Sequence, residues 1–117
     1  MRIVVSGGAG FIGSHVVDAY VDAGHEVAVL DDLSTGQAEN LNSKARFHQV
    51  DLRDRDAVAR VIEKERPEIV NHHAAQLDVR RSVADPAFDA SVNLVGFLNL
   101  LEAARQHGLR RVIFASS

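Results

Sequence analysis

The sequence has no cysteine, so disulfides and thiolate metal centres are excluded, and the composition is compatible with a reducing cytoplasm. No apolar run approaches the length that spans a bilayer. The N-terminal stretch Ile3-Val4-Val5 is closed at once by Ser6-Gly7-Gly8 and is too short for the apolar region of a signal peptide. A soluble, cytoplasmic protein is the expectation. A large excess of one charge is missing as well: 13 basic against 16 acidic residues leave a formal net charge of −3. That offers no electrostatic footprint for nucleic acid or an anionic membrane, and neither is expected as a partner. Low-complexity segments and shifts of composition are also missing, so nothing marks a linker, and 117 residues fit one domain with a real core.

What is present is an alternation of short β-branched runs with longer stretches whose apolar residues recur at helical spacing, the pattern of βαβ units. It predicts strands at about 2–6, 26–30, 45–50, 68–72 and 110–115, most of them continuous apolar runs of the kind a parallel sheet buries on both faces. A first helix is expected over about 11–23, with Ile12, Val16, Ala19, Tyr20 and Ala23 along its buried stripe and Gly24 ending it. A second is expected from about Asp54 to Arg66, stopped by Pro67. A third is expected from Asp85-Pro86, an N-cap followed by the one helical position where proline is favourable, to His107 before Gly108. Right-handed crossovers then give an α/β fold, a Rossmann-like doubly wound parallel sheet of five strands in the order 3-2-1-4-5, with a crevice between strands 1 and 4. The polar stretch Leu33 to Lys44 reads as a long loop on the adenosine side of that crevice.

Ser6-Gly7-Gly8-Ala9-Gly10-Phe11-Ile12-Gly13 follows the first strand directly and opens the first helix. In that context Gly7 suits a tight turn, Gly10 allows close approach of a pyrophosphate, and Gly13 lets the helix pack closely on the sheet. Helix N–H groups and the positive end of the helix dipole would face the phosphates. The second strand ends in Asp31-Asp32, about 20 residues beyond the turn, where a carboxylate accepts hydrogen bonds from an adenosine ribose. Turn and carboxylate together point to a dinucleotide; Asp32 also reads as a solvated strand-end charge. The same carboxylate repels a 2′-phosphate, and no lysine or arginine lies between Glu26 and Ser43, so NAD is expected over NADP. Asp51-Leu52 reads either as a contact to the adenine edge or as a charge favourable to the next helix dipole.

Other chemistry is weaker. His72 and His73 are adjacent on a strand, so their side chains diverge, and no metal site is expected. Arg80-Arg81 would suit a diphosphate, but a solvated pair is the default reading. No nucleophile-elbow sequence supports a Ser-His-Asp hydrolase.

The opening segment Gly7-Gly8-Ala9-Gly10-Phe11-Ile12-Gly13-Ser14-His15 resembles that of the extended short-chain dehydrogenase/reductase family, the NAD-dependent epimerases and dehydratases, and especially the UDP-glucose 4-epimerases. Later segments resemble the family in order: Asp31-Asp32-Leu33-Ser34-Thr35-Gly36, Asp51-Leu52-Arg53-Asp54, His73-Ala74-Ala75-Gln76 with Val79 and Ser82, Asn93-Leu94-Val95-Gly96 with Asn99 to Ala103, and Phe114-Ala115-Ser116-Ser117. The resemblance spans the whole chain. It implies a cofactor site that also takes in Ser34, Thr35, Gly36 and His73, with Ala74, Ala75 and Gln76 on its nicotinamide-side wall and Asn93 from the long helix. It further implies that Ser117 matches or just precedes the hydroxyl residue that bonds the sugar's reacting oxygen. Without it, Asn93 and Asn99 would read as bonding nearby backbone, and Ser116 and Ser117 as strand-end hydroxyls.

Two departures stand out. Phe97 occupies a place where the family usually has threonine, and an effect on helix packing is expected. The family's tyrosine, which deprotonates the sugar hydroxyl, and the lysine four residues later have no counterpart. The one tyrosine is Tyr20, expected in the core, and four residues on stands Gly24. Residues 1–117 are therefore expected to be the NAD-binding, N-terminal part of a nucleotide-sugar 4-epimerase, lacking the catalytic and substrate half and inactive alone, the parent working by transient hydride transfer to NAD. A non-catalytic dinucleotide sensor or an isolated folding unit is the alternative. Self-association, as a homo-oligomer, is expected through Val112-Ile113-Phe114 at the sheet edge.

Overall fold

A computed structural model describes residues 1–33, 38–73 and 95–114. Five parallel strands, β1 (Arg2–Ser6), β2 (Glu26–Asp31), β3 (Arg46–Gln49), β4 (Ile69–His72) and β5 (Arg111–Phe114), form one sheet in the order β3-β2-β1-β4-β5. The strands and their order agree with the sequence reading. Between them run α1 (Phe11–Asp22), a short 3₁₀ turn at Ala38–Asn40, α2 (Arg55–Glu65) and α3 (Gly96–Arg105). The expected start of the third helix at Asp85-Pro86 lies outside the described residues.

Strand alternation divides the core into two layers. Ile3, Val5, Val27 and Val29 meet Val17 of α1 on one face. Val4, Ala28, Leu30 and Val70 meet Val58, Val61 and Ile62 of α2 and Leu100, Ala103 and Ala104 of α3 on the other. Each fully buried aliphatic side chain stabilises the fold by about 1.5–3 kcal/mol relative to exposure. The edge strand β3 is the polar exception among the strands: Arg46 and Gln49 are exposed, and Phe47 and His48 only half-buried. It is held instead by Glu65, a buried carboxylate on α2 that accepts hydrogen bonds from Arg46 Nε at 2.9 Å and from His48 Nε2 at 2.7 Å.

The expected stripe of α1 is rotated by one residue. Gly13 and Val17 are buried with Tyr20 and Val21 beside them, while Ile12, Ala19 and Ala23 are exposed. Gly13 decides this. A Cβ added there would stand 2.1 Å from the Gly7 carbonyl oxygen, so the helix crosses the turn on its one residue without a side chain, and the stripe follows from that contact. Tyr20 is structural, as expected: its ring packs against the α1-side core and its hydroxyl accepts a hydrogen bond from Asn71 Nδ2 at 2.9 Å. Among the described residues no helix is long and apolar enough to cross a membrane.

Candidate functional site: the crevice at the carboxyl ends of β1, β2 and β4

Strand register brings Ser6 level with Leu30 of β2 on one side and His72 of β4 on the other. The chain leaving β1 turns immediately. Gly7 has φ +75°, the left-handed region that glycine enters without strain, and its N–H donates to Leu30 O at 2.8 Å. Gly10 N–H returns to Gly7 O at 3.1 Å, and Ser14 N–H bonds Gly10 O at 2.9 Å as α1 begins. No side chain caps α1 at Gly10 and no acidic residue sits in its first turn. The N–H groups of its first residues, including Phe11 and Ile12, and the positive end of its dipole therefore meet the crevice without a carboxylate from their own helix. The Phe11 and Ile12 side chains are 78% and 61% exposed at the mouth, so backbone is what these two positions offer an anion.

Asp31, at the end of β2, is buried and already engaged. Its Oδ2 accepts the Ala9 N–H at 3.0 Å and its Oδ1 accepts the Leu33 N–H at 2.7 Å. A carboxylate has about four acceptor positions, so two remain for hydroxyl donors. Asp32, its neighbour, is exposed. Sequence reasoning connected turn and carboxylate only through a shared ligand; the structure connects them directly, through Ala9, a residue the reading passed over. It also passed over Asn40, whose Nδ2 donates to Ala9 O at 3.2 Å. Its place in the polar stretch Leu33 to Lys44, on the adenosine side of the crevice, is the available signal, but composition alone does not single it out. Leu41 packs on the α1-side core and Asn42 Nδ2 bonds Asp18 Oδ1 at 2.8 Å, so this end of the loop is fastened to α1.

On the other side of β1, Ser6 Oγ and His72 Nδ1 lie 2.6 Å apart, and the His73 N–H donates to Ser6 Oγ at 3.1 Å. Burial, with a smaller contribution from His73, lowers the His72 pKa to about 4, so the imidazole is neutral at physiological pH. Phe97 packs against it, the ring centroids 4.9 Å apart. Asp51 turns its carboxylate to the backbone N–H and guanidinium of Arg53, and those hydrogen bonds hold its pKa below the usual value. The charge that caps the next helix is Asp54 instead, accepting the Ala57 N–H at 3.1 Å. The Leu52 side chain is buried in the core and its carbonyl accepts from Asn99 Nδ2 at 2.9 Å, so Asn99 bonds backbone far along the chain and not its own helix. The crevice thus collects Gly7, Gly10, Phe11, Ile12, Gly13, Asp31 and His73. Ser34, Thr35, Gly36, Ala74, Ala75, Gln76, Asn93 and Ser117, with Arg80 and Arg81, lie outside the described residues.

A family model described as the NAD dependent epimerase/dehydratase family matches residues 3–117. The UDP-glucose 4-epimerase of Mycolicibacterium smegmatis is 50% identical over 122 aligned positions, which cover all of this chain and 39% of that protein. Two solved structures are also similar over the whole of this chain, which corresponds to 38% of each of them. They are the Thermus thermophilus UDP-glucose 4-epimerase in complex with NAD, 53% identical with a TM-score of 0.96, and the Thermotoga maritima enzyme with UDP-glucose, 47% identical with a TM-score of 0.98. The chain spans less than two-fifths of the length of these relatives.

Proposed function

The chain belongs to the NAD dependent epimerase/dehydratase family, and from that premise we propose that residues 1–117 form an NAD-binding domain serving a nucleotide-sugar 4-epimerase of the UDP-glucose type, in the cytoplasm. The observation that carries this reading is the open N-terminus of α1, set beside a buried carboxylate with acceptor capacity to spare. Phe11 and Ile12 present backbone N–H groups to the pyrophosphate, and the dipole of α1 favours its charge. The remaining acceptor positions of Asp31 take the adenosine ribose hydroxyls, and its charge disfavours a 2′-phosphate. Asp32, Ser34, Thr35 and Gly36 continue that wall, while Asp51 and the backbone of Leu52 flank the adenine. His73, Ala74, Ala75, Gln76 and Asn93 border the nicotinamide end, and Ser117 stands nearest the sugar. NAD, when bound, supplies the chemistry by taking a hydride from the sugar and returning it. The chain's own contribution is to hold the cofactor in one orientation against the substrate.

The sequence contains no Tyr-x-x-x-Lys pair, Tyr20 being its one tyrosine, so epimerase turnover is proposed for the longer protein and not for these residues alone. Self-association through the β5 edge belongs to the same proposal. Fluorescence titration with NADH and NADPH tests the cofactor reading: saturable binding that prefers NADH is expected. Absence of binding to either, or a preference for NADPH, would sink it.

A further inference from the structure

We propose that Asn40 is a positioning residue for the phosphate-binding turn, holding the Ala9–Gly10 peptide so that the N–H groups opening α1 face the pyrophosphate. The proposal rests on the dinucleotide reading above and names a residue which that reading does not use. Ala9 is fully buried and both of its backbone polar groups are taken by side chains from the other edge of the crevice. Asp31 Oδ2 accepts its N–H at 3.0 Å, and Asn40 Nδ2 donates to its carbonyl at 3.2 Å. That carbonyl shares a peptide plane with the Gly10 N–H, which donates to Gly7 O at 3.1 Å. The plane is thus held at both ends, and the next N–H groups along the chain are those of Phe11 and Ile12. Rotation of this plane would swing them away from the crevice.

Asn40 is itself anchored. It closes the 3₁₀ turn Ala38–Asn40, in which the Leu41 N–H bonds Ala38 O at 3.1 Å, and the residues just after it are fastened to the core by Leu41 and to Asp18 by Asn42. An amide suits the position on electrostatic grounds. It donates to the carbonyl without charge, whereas a carboxylate would offer no donor and would set a negative charge beside the site where phosphate must bind. Asp31 and Asn40 bracket one segment of chain, so the segment that carries the ribose acceptor also sets the geometry of the phosphate turn.

The test compares the unsubstituted protein with Asn40→Ala and Asn40→Asp by equilibrium titration against NADH, ADP-ribose and adenosine. Asn40→Ala is expected to weaken NADH and ADP-ribose by about fivefold, the size of one net hydrogen bond, and to leave adenosine, which has no phosphate, unchanged. Asn40→Asp is expected to weaken both diphosphates at least as much. Equal losses for adenosine would make Asn40 a plain support of the loop and overturn the proposal, as would unchanged affinity for all three ligands in both variants. Failure of the unsubstituted protein to bind NADH overturns the dinucleotide reading, and the positioning role falls with it.

Discussion

At the start of α2 the Asp54 carboxylate accepts the Ala57 N–H and Asp56 adds a second negative charge in the first turn, whereas α1 starts at Gly10 with neither. Both helices face the same shortage, since the first N–H groups of any α-helix lack intrahelical partners. In α2 the chain meets it from within, and the other end of that helix is tied down by the Arg46–Glu65 ion pair and the hydrogen bond between His48 and Glu65. Helix α1 leaves its donors facing a crevice and spends its side-chain contacts on the turn's shape, through Asp31 and Asn40 on Ala9. The difference separates an end built for stability from an end built for a ligand. It also explains why two similar-looking acidic positions, Asp31 and Asp54, do different work.

The sharpest way to break the comparison is at Gly13. Gly13→Ala drives a Cβ to 2.1 Å from the Gly7 carbonyl, a backbone atom that can move only with the turn. Loss of more than ~3 kcal/mol of stability, together with loss of detectable NADH binding, is expected from urea unfolding and fluorescence titration.

Acid gives a second, smaller effect. In the unfolded chain His72 takes up a proton below about pH 6.5, while in the fold its pKa is lowered to about 4. The unfolded state then binds more protons in that window, so stability is complete above it and falls as pH drops through it, by an amount on the order of 3 kcal/mol. At the α2 corner, burial works against the Glu65 carboxylate, but hydrogen bonds from Arg46 and His48 outweigh it and hold its pKa below 4.5. Its contribution is present above that value and is lost only at lower pH. The crevice should therefore weaken before the corner. Urea midpoints measured from pH 7 to pH 4 check this, and His72→Gln should flatten the slope across that range.

A reciprocal exchange of caps gives the smallest effect on stability and the cleanest separation of roles. Asp54→Ala is expected to cost about 1 kcal/mol and leave NADH affinity alone. Gly10→Asp is accommodated sterically, since the new Cβ meets Gly7 O at 3.4 Å. It should change stability by only a few tenths of a kcal/mol while weakening NADH about tenfold through repulsion of the phosphates. If the two substitutions affected stability and binding alike, the contrast between the two helix ends would collapse.

Much of the architecture was legible in the sequence because it is written in local signals. Strand runs such as Ile3-Val4-Val5 and Val27-Ala28-Val29-Leu30, Asp54 before α2 and Pro67 after it, and Gly24 and Gly108 with positive φ beyond their helices, all act within a few residues. The buried stripe of α1 was not legible from apolar spacing, since Ile12 and Ala19 fit a helical period as well as Val17 does. Only the contact between Gly13 and Gly7 chooses between them. The edge strand β3 was recognised although Arg46, His48 and Gln49 interrupt its apolar character, and the partner that explains those residues, Glu65, lies on α2.

For the site, the sequence by itself determined the chemistry: a glycine turn after a strand, a carboxylate at the end of the next strand, and no cation to welcome a 2′-phosphate. Glycine spacing and charge are properties of residue type, and parallel βα topology brings such strand ends to one crevice whatever the details. Tertiary structure alone decided how the parts hold one another. Asp31 and Asn40 grip the two sides of Ala9, Ser6 shares hydrogen bonds with His72 and the His73 backbone, Phe97 covers His72, and Asn99 reaches Leu52. Each of these contacts joins residues between 22 and 67 positions apart, and such pairings have no periodicity. They arise only when the sheet has set the register of its strands and the helices have been packed on its faces.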